Sequence, residues 1–253
     1  MHEAVLDNGI RVVTERRPDV RSVAVGVWIA QGSAHETPES GGVSHLMEHL
    51  VFKGTGRRTA HEIALSLESL GGSLDAYTTR EHTSYQAHVL DEHLPVALDV
   101  LADLVLHPRL DPNDLELEKD VVIEEIAGVE DTPDDMVFDL HGAKFWNGHA
   151  YGQPILGTRE TVRAFEIDDL RSLHSERYQG RNIVLGCVGN IEHDDVVSQL
   201  MELFGGVGAG CVSPEIEEPA DTISGRNSVV RDAAQAHLVI SHATPSFADP
   251  VRN

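Results

Sequence analysis

Apolar positions along this chain recur with two periods, and the changes between them mark its elements. Residues 5–6 and 10–14 flank Asp7-Asn8-Gly9, which predicts a strand, a tight turn and a second strand. Residues 23–30 are almost continuously apolar and predict a buried strand. Gly41-Gly42 breaks the chain, and Val43, Leu46, Leu50 and Val51 then fall at helical spacing. Thr59 is placed to cap a helix over residues 60–70, with Glu62 in its first turn and Gly71-Gly72 at its end. Residues 74–90, rich in Thr, Tyr and Val, predict a pair of strands.

Further helices are predicted over residues 93–106, from Asp111-Pro112 to about Val129, and over 136–145, 167–177 and 194–204. A strand is predicted over 183–189. Several strands read as hairpin neighbours rather than as βαβ units. The fold class expected is therefore α+β, a mixed, largely antiparallel sheet covered by helices. A stretch rich in Gly, Pro, Ser and acids follows, over residues 205–228, and a further strand is predicted at 236–241. The expected organisation is a first domain over 1–210, a linker over 211–235, and the start of a second, truncated domain over 236–253.

Length and composition narrow this reading. The 253 residues suffice for one large domain or two small ones without stabilising disulfides. Aromatic residues make up only 5%, so aliphatic side chains must fill the core. Trp28 and Trp146 are expected there too. A net charge of -23 argues against nucleic acid or an anionic membrane as partner, because both are polyanions. The N-terminus has no basic region followed by an apolar run, and no segment is apolar enough to span a membrane. A cytoplasmic location is the expectation. Of the two cysteines, Cys187 lies in an apolar run and is expected to be a small buried hydrophobe.

The candidate chemistry lies in His45-Leu46-Met47-Glu48-His49. Residues i and i+4 share a helix face, so both imidazoles can reach one zinc ion. Glu48 projects from nearly the same face and can take a proton from a zinc-bound water. The order H-x-x-E-H inverts the commoner zinc peptidase motif. The bland alternative is a surface helix that carries histidines, but Val43, Leu46 and Leu50 make the helix partly buried, and buried polar groups need partners.

A catalytic zinc takes a third protein ligand. In the helix after Asp111, Leu115, Val122, Ile126 and Val129 define a buried stripe. Glu118 and Glu125 fall within roughly 60° of its centre, whereas Glu124 faces water. The residues alone leave two readings of this pair: carboxylates around a cation, or edge glutamates that reach solvent.

At these positions the chain resembles the pitrilysin and insulinase family of zinc peptidases. It is most similar to the branch with the mitochondrial processing peptidase β-subunit and its bacterial relatives. The resemblance runs from Asp7-Asn8-Gly9 through Gly32-Ser33-Ala34-His35-Glu36 and the stretch Gly41-Gly42-Val43-Ser44-His45-Leu46-Met47-Glu48-His49-Leu50-Val51-Phe52-Lys53-Gly54-Thr55. It continues at Asp75-Ala76-Tyr77-Thr78, at Glu81-His82-Thr83, at residues 118–126 and at His149-Ala150-Tyr151-Gly152 with Pro154-Ile155-Leu156-Gly157.

The resemblance implies the inverzincin fold and a Zn²⁺ cofactor held by His45, His49 and Glu125. Glu48 is then the catalytic base and Glu118 a carboxylate supporting the metal site. Asp75, Ala76, Tyr77 and Thr78 form the strand that pairs with an extended peptide substrate. Relatives usually carry Asn where this chain has Asp75, which removes the amide donors from that side chain. The family closes around peptides as a clamshell of two similar halves. The partner completing it would be a missing C-terminal half, a second subunit, or a second copy in a homodimer.

Two other functions fit parts of this pattern. Some relatives bind peptides or assemble complexes without cutting, but those lose motif residues that all stand here. S-ribosylhomocysteine lyase has the same H-x-x-E-H helix but uses a cysteine ligand.

Overall fold

The computed structural model describes residues 1–217, 222–232, 234–246 and 249. Six strands among them form one sheet: β1 His2–Val5, β2 Arg11–Arg16, β3 Ser22–Ile29, β4 Ser73–Thr78, β5 Thr83–Leu90 and β6 Ile183–Gly189. Their order across the sheet is β1-β2-β6-β3-β5-β4. Only the β2–β6 pair is parallel, so the sheet is mixed and largely antiparallel, as the pattern predicts. Among the described residues eight α-helices accompany it: α1 Val43–Val51, α2 Ala60–Glu68, α3 Leu94–Leu106, α4 Pro112–Asp131, α5 Pro133–Phe145, α6 Arg159–Ala164, α7 Ile167–Arg177 and α8 His193–Phe204.

Local sequence explains most boundaries. Asn8 and Gly9 (φ 90°) turn β1 into β2. Thr59 and Glu62 exchange hydrogen bonds in a capping box that starts α2. Asp111 accepts from the Asn113 N–H and Pro112 opens α4. The short α6 has no apolar periodicity to announce it and was not predicted. It starts on a cap, with Thr158 accepting from the Thr161 N–H.

Side-chain alternation gives the sheet two different faces. On one, Val12, Leu185, Val25, Val27, Tyr85 and Ala87 line up across the registers and are buried. α3 packs on this face and is itself buried on most sides, through Leu98, Leu101, Leu104 and Val105 among others. Cys187 also belongs here, and burial pushes its thiol up to about 12.

The opposite face carries Glu15, Trp28, Gln86, Asp75 and Tyr77, none of them fully buried. Trp28 is therefore not a core residue. Its ring lies over Gly26 and Gly186, where an added Cβ would come within 2.7 and 2.8 Å of ring carbons. Trp146 is likewise only half-buried, against Phe145 and Tyr151.

The strand predicted at 236–241 does not form. Those residues pair with no strand, and Leu238 and Ile240 are more than four-fifths exposed. An apolar run becomes a strand only where a ladder partner meets it. Among the described residues no helix is long and apolar enough to cross a membrane.

Gly186→Val should force the Trp28 ring off the sheet and destabilise the fold by about 1–3 kcal/mol. The check is tryptophan emission, with Trp146→Phe removing the other indole. A red-shifted maximum is expected, and an unshifted one means the ring is not seated on Gly186.

Candidate metal centre

α1 carries both histidines of the motif and Glu48. Its apolar side, Leu46, Met47, Leu50 and Val51, is at most 1% exposed. His45, Glu48 and His49 lie on the remaining arc and are half-buried. The helix begins at Gly42, which has φ 93° and sits so close to the Leu156 carbonyl that a Cβ would meet it at 2.5 Å. Only glycine fits, so the N-cap has no side chain to offer the first N–H groups.

Glu36 supplies what the cap lacks. Its carboxylate accepts from the Gly42 N–H at 2.7 Å and from the Ser44 N–H at 2.8 Å. The residue is only 6% exposed, and burial pushes its pKa up while hydrogen bonds from Ser44 and Gly42 pull it down. Gly157, with φ 74°, completes the clamp by packing its backbone on Gly41 and Gly42. The segment around His149–Gly157 thus has a position: it braces the start of the histidine helix.

α4 lies against α1 and brings both predicted carboxylates to it. His45 Nε2 and His49 Nε2 stand 3.7 and 3.6 Å from Glu125 Oε2. His49 Nδ1 is 3.0 Å from Glu118 Oε2, and Lys53 Nζ is 2.6 Å from Glu118 Oε1. Glu118 is buried, and Glu125, 41% exposed at its side chain, faces the imidazoles and solvent together. Val129, assigned to the buried stripe, is only half-buried near the helix end.

The donor set fits zinc. Among the described residues, His45, His49 and Glu125 form the one cluster of this kind, with one potential ligand atom from each within 4.8 Å of the others. The two N–O separations exceed hydrogen-bond length. Three lone-pair atoms therefore converge without satisfying each other. Zinc bonds of about 2.0–2.1 Å set tetrahedral ligands roughly 3.3–3.4 Å apart, close to what is seen. Burial, with His49 nearby, lowers the His45 pKa to about 4, which keeps that imidazole neutral at pH 7. Glu118 accepts from His49 Nδ1, which leaves Nε2 as the free lone pair. Lys53 balances the buried Glu118 charge and was not singled out from sequence.

Glu48 Oε2 accepts a 2.5 Å hydrogen bond from the Thr78 hydroxyl. Burial raises the Glu48 pKa, and the Thr78 hydrogen bond opposes the rise. β4 is an edge strand, so its outer side has no strand partner among the described residues. Alternation points Ala76 and Thr78 toward α1, and Asp75 and Tyr77 to the opposite face. The Asp75 side chain thus stands away from His45, His49 and Glu125. Tyr77 meets Gln86 and His82 there. Two surface hollows, of ≈ 560 and 400 Å³, lie elsewhere on the molecule, and this site opens to solvent at Glu125 as a shelf beside β4.

The family model for insulinase, peptidase family M16, matches residues 11–159. The chain belongs to this family. A second model, the peptidase M16 inactive domain, matches residues 164–252. The zinc protease YmxG of Bacillus subtilis is 44% identical over 233 residues, 92% of this chain and 56% of that protein. The mitochondrial-processing peptidase subunit beta of Dictyostelium discoideum is 35% identical over 251 residues, 97% of this chain and 53% of that protein. This insulinase-family chain therefore spans about half the length of these relatives. A protease from Helicobacter pylori superposes with TM-score 0.78 at 23% identity, over 87% of this chain and 53% of that one, a likeness of fold.

Glu36→Gln replaces one acceptor oxygen of the clamp with an amide facing an N–H group. It should cost about 1–3 kcal/mol, read as a lower urea midpoint. An unchanged midpoint would release Glu36 from this role.

Proposed function

We propose that this chain is the metal-bearing half of a zinc-dependent endopeptidase that cleaves extended peptides. One observation carries the reading: His45 Nε2, His49 Nε2 and Glu125 Oε2 converge without hydrogen bonds among them, beside a carboxylate on the same helix. The names of the relatives, zinc protease and processing peptidase, support it.

His45, His49 and Glu125 would hold zinc. The chemistry zinc would supply there is a lowered pKa for water and polarisation of the scissile carbonyl. Glu48 Oε1 or Oε2 receives the proton of the attacking water and returns it to the leaving nitrogen. Glu118 holds His49 in the tautomer that presents Nε2. The peptide lies along the free edge of β4, where backbone groups of Ala76–Thr78 bind it with little demand on its sequence. Tyr77 and Asp75 contribute backbone rather than side chain to this contact. Residues 1–210 form the peptidase unit, 211–235 a linker, and 236–253 the opening of a second half. That half, in the same chain, a second subunit or a second copy, closes over the open shelf.

Metal analysis tests the ligands. About one zinc per chain is expected, lost in His49→Ala and Glu125→Gln, while Glu118→Gln weakens affinity roughly 10–100-fold. A wild-type chain without zinc after reconstitution overturns the assignment. Glu48→Gln, assayed with the second half present, should keep its zinc and lose roughly 10²–10⁴-fold in peptide cleavage. Zinc retention without cleavage in the wild type would instead favour a peptide-binding or assembly subunit of the same family.

A further inference from the structure

We propose that the Thr78 side chain is a positioning residue that aims the Glu48 carboxylate at the water it activates. The inference rests on the reading of Glu48 as the base. Thr78 sits on β4, and its hydroxyl donates to Glu48 Oε2 at 2.5 Å, the length of a charge-assisted O–H···O⁻ bond. This is the one hydrogen bond to the Glu48 carboxylate among the described residues. A glutamate on a helix surface has several rotamers, and a single strong donor selects among them.

The donor itself is held firmly. Thr is β-branched and stiff at χ1. Thr83, opposite Thr78 in the β4–β5 ladder, places its hydroxyl 3.4 Å away and spends its own proton on the Gln31 carbonyl at 2.9 Å. Thr83 can then only accept from Thr78, and at 3.4 Å it is much the farther acceptor, so the Thr78 proton lies on Glu48 Oε2 at 2.5 Å. The turn that follows is closed by the Thr79 N–H on the His82 carbonyl and by the Thr79 hydroxyl on His82. The Ser33 and Ala34 N–H groups dock on the Thr79 and Arg80 carbonyls. A Cβ at Gly32 would stand 2.4 Å from the Thr79 oxygen, so the two segments touch backbone to backbone. Gln31 in turn donates to Ser44, in the first turn of α1.

The Glu48–Thr78 bond thus closes a ring of contacts from α1 through β4 and β5 back to α1. It ties the carboxylate to the strand whose free edge would receive the peptide. Substrate seated on β4 and the base on α1 then share one rigid frame, which fixes the distance between them.

The test compares Thr78→Val and Thr78→Ser in the protein with both halves present. Valine keeps the shape and removes the donor, and serine keeps the donor. In Thr78→Val, kcat should fall roughly 10–100-fold, with zinc content retained and KM within about twofold. Thr78→Ser should restore most of it. A second readout needs no turnover: in protein labelled with ¹³C at glutamate carboxyls, the signal lost in Glu48→Gln should move in Thr78→Val and return in Thr78→Ser. Unchanged kcat in Thr78→Val, a loss that serine fails to restore, or an unmoved carboxyl signal overturns the proposal. An enzyme that Glu48→Gln leaves active overturns the base reading, and the positioning role with it.

Discussion

The clamp on the first turn of α1 governs this molecule, because His45, Glu48 and His49 all ride on that nine-residue helix. A helix this short is not stable alone, and its position is set by its packing and its ends. The packing is supplied by Leu46, Met47, Leu50 and Val51. The end is supplied by Glu36, reaching two N–H groups that glycine cannot cap, and by Leu156 and Gly157, which stand too close for any other residue at 42. Glu118 and Lys53 fix the ring of His49. His49 and Glu48 are thus aimed by neighbours from other parts of the chain, whereas the buried Nδ1 of His45 has no hydrogen-bond partner among the described residues.

Charge shapes the same region. Four carboxylates, Glu36, Glu48, Glu118 and Glu125, gather around one short helix in a chain already at net charge -23. Each is compensated differently: Glu36 by backbone N–H groups, Glu118 by Lys53 and His49, Glu48 by Thr78. Glu125, turned to solvent and to the two imidazoles, has no other ion-pair partner among the described residues. Concentrating negative charge without full internal compensation is what a divalent ion requires of its site.

Much of this was legible in the residues. Helix periodicity and the capping pair Thr59–Glu62 located α2, and the apolar run 183–189 located β6, because local chemistry decides those elements. The wheel selected Glu118 and Glu125 because a buried stripe fixes which side chains face the neighbouring helix. What stayed hidden was non-local. Glu36 reads as a loop acid until Gly42 is seen against Leu156. Thr78 reads only as part of the strand that would pair with a peptide, and its hydroxyl meets Glu48 only once β4 is laid beside α1. Trp28 reads as core until glycines 26 and 186 are seen to meet beneath its ring on the uncovered face. The failed strand at 236–241 has the same cause in reverse: local pattern without a partner.

The place of β6 has a consequence for how the molecule is made. Its seven residues are inserted between β2 and β3, and both neighbours lie more than 150 positions earlier in the chain. On the ribosome, β1–β2 and β3–β5–β4 can form only as two separate ribbons, each with an open edge, until residues 183–189 emerge. The histidine helix, the glutamate helix and the edge strand are all synthesised before the sheet that orients them can close. Joining so distant a strand carries a loop-closure cost and slows folding. His45, His49 and Glu125 are therefore among the earlier residues to be made and among the later ones to be fixed in place.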